Sequence, residues 1–178
     1  MAGFEHVIFD VDGTLADTDG ISQQALQDLL FERTGEEEDL ADLVFARGIP
    51  GAEALERLGI LSEDALARWD ELARAHADEY EAVITPLGID GFFSGMVLAE
   101  DAELHKPNPE PLLEYLRRTG AKPEKTIYVG DTEYDSVAAR AAGVSFVIAD
   151  WGAASYVESA SYWVHTPAEV ELVARYAL

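Results

Sequence analysis

The sequence predicts an α/β protein: a parallel sheet covered by helices on both faces, with an all-helical segment inserted near its start. Three observations carry this. Short, near-continuous apolar runs alternate with helical patterns from about residue 95 onward, as expected of strands buried on both faces. Between about Asp17 and Tyr80 the apolar spacing is helical and no strand pattern occurs. The first apolar run, before that insert, ends in carboxylates.

In order, Phe4–Asp10 reads as a buried strand. Ala25, Leu26, Leu29 and Leu30 then follow i, i+3, i+4 spacing, with Gly35 as a stop. Leu55/Leu58 and Leu66/Trp69/Leu72 continue the helical pattern, broken by Gly48, Pro50, Gly51 and Gly59. Gly95–Ala99 reads as a strand and Pro109–Thr119 as a helix stopped by Gly120. Thr126–Val129 is a strand, Thr132–Ala142 a helix stopped by Gly143, and Ser145–Ala149 a strand. Ser161–Val164 is a candidate strand, and a helix runs from Pro167 to the end. The expected division is a core of residues 1–16 and 82–178 and a helical insert of 17–81.

The composition removes several function classes. There are no cysteines, hence no disulfide, thiol catalysis or Cys-ligated metal. His6, His76, His105 and His165 show no metal-ligand spacing. No uncharged stretch approaches the ~18 residues of a membrane helix, and the N-terminus has no basic leader pattern; a cytoplasmic location is expected. Asp and Glu number 35 against 12 Lys and Arg, a net charge of −23. Such a field repels nucleic acid and anionic membranes, so neither is expected as a partner. The acidity reads equally as a soluble surface or as adaptation to a salty cytoplasm. Only Lys106, Lys122 and Lys125 are lysines.

In a parallel sheet the ligand site lies beyond the carboxyl ends of the strands. The first strand runs into Asp10-Val11-Asp12-Gly13-Thr14. In an extended chain Asp10 and Asp12 face the same way. Adjacent acids push their pKa values apart, which suits Asp10 as a nucleophile and Asp12 as a general acid/base. Gly13 admits an anion to the backbone, and Thr14 adds a hydroxyl. A later strand runs into Gly130-Asp131-Thr132-Glu133-Tyr134-Asp135. Asp131 and Asp135, one helical turn apart, read either as oxygen ligands for Mg²⁺ together with Asp10, or as a helix cap with first-turn acids. Lys106, before Pro107, reads as an offset to the charge of Asp10 and a bound phosphoryl group, or as a surface lysine.

Together these motifs resemble the haloacid dehalogenase superfamily, in its phosphoglycolate phosphatase and β-phosphoglucomutase-like branch. The pieces that match are DxDGT at Asp10–Thr14, the Lys106–Pro107 pair and GDxxxD at Gly130–Asp135, with KPNPEPLL and VGDTEYDSVAARAAG around them. The resemblance implies a Rossmann-like core with a helical cap after the first motif. It implies a Mg²⁺-dependent phosphohydrolase acting on a small phosphate monoester, a phosphorylated metabolite, through an aspartyl-phosphate on Asp10. Asp12 would protonate the leaving oxygen and lend its carbonyl to the metal. Asp131 would bind the metal, Asp135 would support it, and Lys106 would hold Asp10 and the phosphate. The acid at Asp12 favours phosphoryl transfer over dehalogenation.

The family's second motif is a Ser or Thr at another strand tip. Its candidate is Thr85, after Ala82-Val83-Ile84, but only Pro86–Ser94 separate it from the Gly95 run, too few for a parallel crossover. Either Thr85 ends a short strand or that unit is missing and the core is shortened. Arg47 is a candidate for the substrate's far end. A sugar phosphomutase with the same site and a non-catalytic phosphate- or protein-binding relative are the alternatives; either a monomer or a homodimer is compatible.

Overall fold

In a computed structural model, the residues described are 3–17, 20–46, 49, 51–84, 88–98, 101–153, 157 and 159–177, with the backbone alone for 77–84 and 90. Arg47 and Thr85 lie outside them.

Contacts divide the chain into two units, residues 1–16 with 91–178, and residues 17–90. The first holds four parallel strands: β1 (His6–Phe9), β2 (Thr126–Gly130), β3 (Ser145–Ala149) and β4 (Tyr162–Val164), in spatial order β1-β2-β3-β4. The register pairs His6 with Thr126, Ile127 with Ser145, and Val147 with Tyr162. Every residue of β2 is buried, as the near-continuous apolar run requires.

Alternation along the strands divides their side chains between two faces. Tyr128, Phe146 and Ile148 pack with Leu112 and Leu116 of α4 (Glu110–Thr119) and Ala138, Ala139 and Ala142 of α5 (Glu133–Ala142). Ile127, Val129, Val147 and Val164 pack with Val170 of α6 (Pro167–Tyr176). The sheet is thus covered on both sides, as expected. Gly120 and Gly143 end α4 and α5 at φ 69° and 73°, where a side chain would be strained.

The unit of residues 17–90 contains α1 (Gly20–Thr34), α2 (Gly51–Arg57) and α3 (Glu63–Ile84) and, among the described residues, no strand. Leu26 and Leu29 of α1, Ala54 and Leu55 of α2 and Ala65 of α3 form its buried core with Leu43 and Ala46. Its helical character follows from the i, i+3, i+4 spacing.

Two expected elements differ. Of the strand expected at Gly95–Ala99, the described residues 95–98 are irregular, and Met96 and Leu98 are 57% and 52% exposed. Side chains nearby hold some of their backbone groups. Arg118 donates to the Met96 carbonyl (3.3 Å), and Asp101 accepts from the Leu98 N–H (2.8 Å). Likewise Ala82–Ile84 do not form a short strand but finish the 22-residue helix α3. Among the described residues no helix is long and apolar enough to cross a membrane.

Candidate active site

The ends of β1 and β2 and the loop before α4 bring four charged side chains together. Asp10 directly follows β1, and its N–H still donates to the Val129 carbonyl (2.8 Å), continuing the ladder by one residue. Asp131 follows β2 and is 7% exposed; Asp135, in the first turn of α5, is fully buried. Asp10, Asp131 and Asp135 each bring one carboxylate oxygen within 4.8 Å of the others. Lys106 lies in the loop before α4, as expected, and its peptide bond to Pro107 is cis. Its Nζ donates to Asp10 Oδ1 (2.8 Å) and to Asp135 Oδ1 (2.7 Å). The surface-lysine reading therefore falls.

Past Asp10 the chain stops being extended. The Leu15 and Ala16 N–H groups both donate to the Val11 carbonyl, and Gly13 has φ 76°. Asp12 is thus exposed in a turn rather than alternating on a strand, although its charge still reaches Asp10. A Cβ at Gly13 would collide with the Asp131 carboxylate, and one at Gly152 with the Gly13 carbonyl. The anion that Gly13 admits is therefore, in this structure, the protein's own Asp131. The Thr14 hydroxyl reaches Asp131 Oδ1 at 3.4 Å, and the Trp151 indole N–H donates to the Thr14 carbonyl (2.9 Å).

Asp135 has all its acceptor capacity engaged. Oδ1 takes Lys106 Nζ and the Tyr128 hydroxyl (both 2.7 Å); Oδ2 takes the Thr132 N–H (3.0 Å) and hydroxyl (2.6 Å). A carboxylate offers about four such positions. The helix cap is Thr132, not Asp131, and Asp135 completes a capping box with it.

The electrostatics separate the acids. Burial pushes Asp10 up from 3.8 to about 6; Lys106 opposes the rise, while Asp135 and Asp12 add to it. Burial, then the charges of Asp135 and Asp10, push Asp131 up to about 7. Burial works against Asp135 as well, but the ammonium and hydrogen bond of Lys106, with those of Thr132 and Tyr128, hold it below 3.8. Burial disfavours charge on Lys106 too, yet Tyr128, Asp135 and Asp10 hold its pKa well above the ordinary range. One lysine does not offset three clustered carboxylates. The surplus negative charge and the hard oxygen donors of Asp10 and Asp131 suit a divalent cation such as Mg²⁺. The saturated Asp135 is suited to support rather than to ligate.

Sequence reasoning missed Tyr128, Thr132, Trp151 and Gly152. Trp151 and Gly152 stand just past the end of β3, where the strand-tip rule points.

Comparisons with known proteins bear on the family and the fold. The profile of the family described as haloacid dehalogenase-like hydrolase matches residues 7–82 and 72–149. A pyrophosphatase PpaX from Anoxybacillus flavithermus is 26% identical, covering 82% of this chain and 83% of that protein. A second, from Halalkalibacterium halodurans, is 44% identical over 61 residues, where the match spans 34% of this chain and 28% of that protein. A glyceraldehyde 3-phosphate phosphatase from Methanopyrus kandleri is 39% identical over 67 residues, spanning 38% of this chain and 24% of that protein. Among solved structures, one from Lactobacillus plantarum, provisionally assigned as a phosphoglycolate phosphatase, superposes with TM-score 0.83 at 19% identity over 96% of this chain and 99% of that one. A haloacid dehalogenase-like family protein from Streptococcus pneumoniae gives 0.73 at 20% identity, over 94% and 96%. With its motif residues gathered at the strand ends and most of its length matched, the chain belongs to the haloacid dehalogenase-like hydrolase family.

Proposed function

We propose that the chain is a Mg²⁺-dependent phosphohydrolase of small phosphorylated metabolites that works through an aspartyl-phosphate on Asp10. The observation that carries this is Lys106 bridging Asp10 and Asp135. The ammonium engages Asp10 Oδ1, while Oδ2 holds no hydrogen bond among the described residues and is the oxygen for attack. Oδ2 attacks phosphorus, and the bond from phosphorus to the leaving oxygen breaks. Asp12 gives that oxygen a proton. A water then attacks the phosphoryl group, Asp12 takes its proton, and phosphate leaves with Asp10 restored. Asp10 and Asp131 would hold Mg²⁺, with Asp12 lending its carbonyl. The ion supplies positive charge for the phosphoryl oxygens.

Inorganic pyrophosphate, glyceraldehyde 3-phosphate and phosphoglycolate are the first substrates to try, because the relatives carry those names. The setting is the cytoplasm, where such metabolites arise. A non-catalytic phosphate-binding relative is the second reading, favoured by the irregular segment 95–98 where a strand was expected. A phosphate-release screen over these compounds, with and without Mg²⁺, separates the two. Release is expected only with Mg²⁺, and Asp10→Asn is expected to abolish it, the amide being a far poorer nucleophile. Near-normal turnover by Asp10→Asn would exclude the covalent route, and no release from any compound would favour the binding relative.

A further inference from the structure

Tyr128 lies in the middle of β2, 3% exposed, its ring tilted against Phe146 at 6.1 Å. A phenylalanine would fill that apolar cluster as well, so packing does not account for the hydroxyl. Gly130 is two residues on and faces the same way. A Cβ there would lie 2.6 Å from Asp135 Cγ, so the Asp135 carboxylate rests over Gly130. The Tyr128 ring reaches up beneath it, and its hydroxyl donates to Asp135 Oδ1 at 2.7 Å. Thr132 fixes the other oxygen, Oδ2. Two anchors on two oxygens set the orientation of the carboxylate, and hence the position from which Oδ1 holds Lys106.

We propose that Tyr128 is a positioning residue: its buried hydroxyl orients Asp135, which holds the Lys106 ammonium against Asp10 where the phosphoryl oxygens arrive. This rests on Asp10 being the nucleophile. Without the hydroxyl, Oδ1 keeps only Lys106, and ammonium and carboxylate can drift together away from Asp10. Groups that orient a site in this way typically contribute 10- to 100-fold.

The test is Tyr128→Phe in the full chain, which keeps the ring and its packing. With p-nitrophenyl phosphate and Mg²⁺, kcat is expected to fall about 10- to 100-fold with KM little changed. The second readout needs no turnover. Brief acylation of the folded protein, read by mass spectrometry, compares Lys106 with Lys122 and Lys125 in the same molecule. In the unmodified protein Lys106 is expected to react more slowly than both, and in Tyr128→Phe its relative rate is expected to rise several-fold. Unchanged Lys106 labelling with unchanged kcat overturns the proposal, as does a lowered Tm with labelling and kcat unmoved, since that is packing alone. Equal labelling of the three lysines in the unmodified protein overturns it without any variant. If the unmodified protein releases no phosphate, the phosphatase reading fails, and the labelling comparison still decides whether Tyr128 positions Lys106.

Discussion

Burial opposes the charge on the partly buried Asp10 and on Asp131, which sets the sign of a pH dependence. Their folded pKa values, about 6 and about 7, lie above the ordinary 3.8. Between those limits the unfolded chain has released protons that the folded chain still holds, so stability without metal falls as pH rises from about 4 to 7. Asp135, held below 3.8, acts in the opposite direction but only under that value. The expected result is a metal-free Tm that declines across this window and is restored by Mg²⁺ most strongly near neutral pH. A scanning-calorimetry series at fixed ionic strength checks it, and a Tm flat in pH with no Mg²⁺ effect would contradict it. At this scale the sequence was informative wherever a polar residue follows a strand, which is why Asp10 and Asp131 could be named in advance. Tyr128 could not: inside Thr126–Val129 it reads as one more apolar strand residue, and only the missing Cβ of Gly130 reveals where its hydroxyl goes.

At the scale of the element, the first turn of α5 holds both the helix cap and Asp135 of the candidate site. Its cap, Thr132, accepts from the Asp135 N–H (3.2 Å) and holds Asp135 Oδ2 (2.6 Å). Thr132→Ala is expected to lower stability by about 1 kcal/mol, the usual loss of such a cap, and to reduce turnover as well, because Asp135 loses a tether. Thr166→Ala, at the cap of α6, is expected to leave turnover unchanged. Urea melts and phosphate release on both variants make the comparison, and equal turnover in the two would contradict the effect on turnover. The helices with glycine stops were readable, since Gly120 and Gly143 occupy the left-handed caps their positions suggest. The apolar run at Gly95 misled because alternation and length describe a strand's side chains but not its hydrogen-bond partners. Asp101 and Arg118 supply those partners, and neither is signalled by the run itself.

For the whole molecule, charge is the dominant property. With 35 acids against 12 basic residues, self-repulsion opposes the folded state. Raising KCl shortens the Debye length from ~10 Å at 0.1 M to ~3 Å at 1 M, so Tm is expected to rise over that range; no change would mean that repulsion is not limiting. The order of the sheet has a different consequence. His6 of β1 pairs with Thr126 of β2, with α1, α2, α3 and α4 and all of residues 17–90 between them in sequence. A ribosome adding ~5–20 residues per second needs roughly 6–24 s to span that gap. During it the segment bearing Asp10 has no strand of this sheet to join, whereas residues 17–90, which hold all of their own core, are complete before β2 is made. The birth order of the chain therefore lets the helical unit complete its core first and leaves the pairing of β1 with β2 until late.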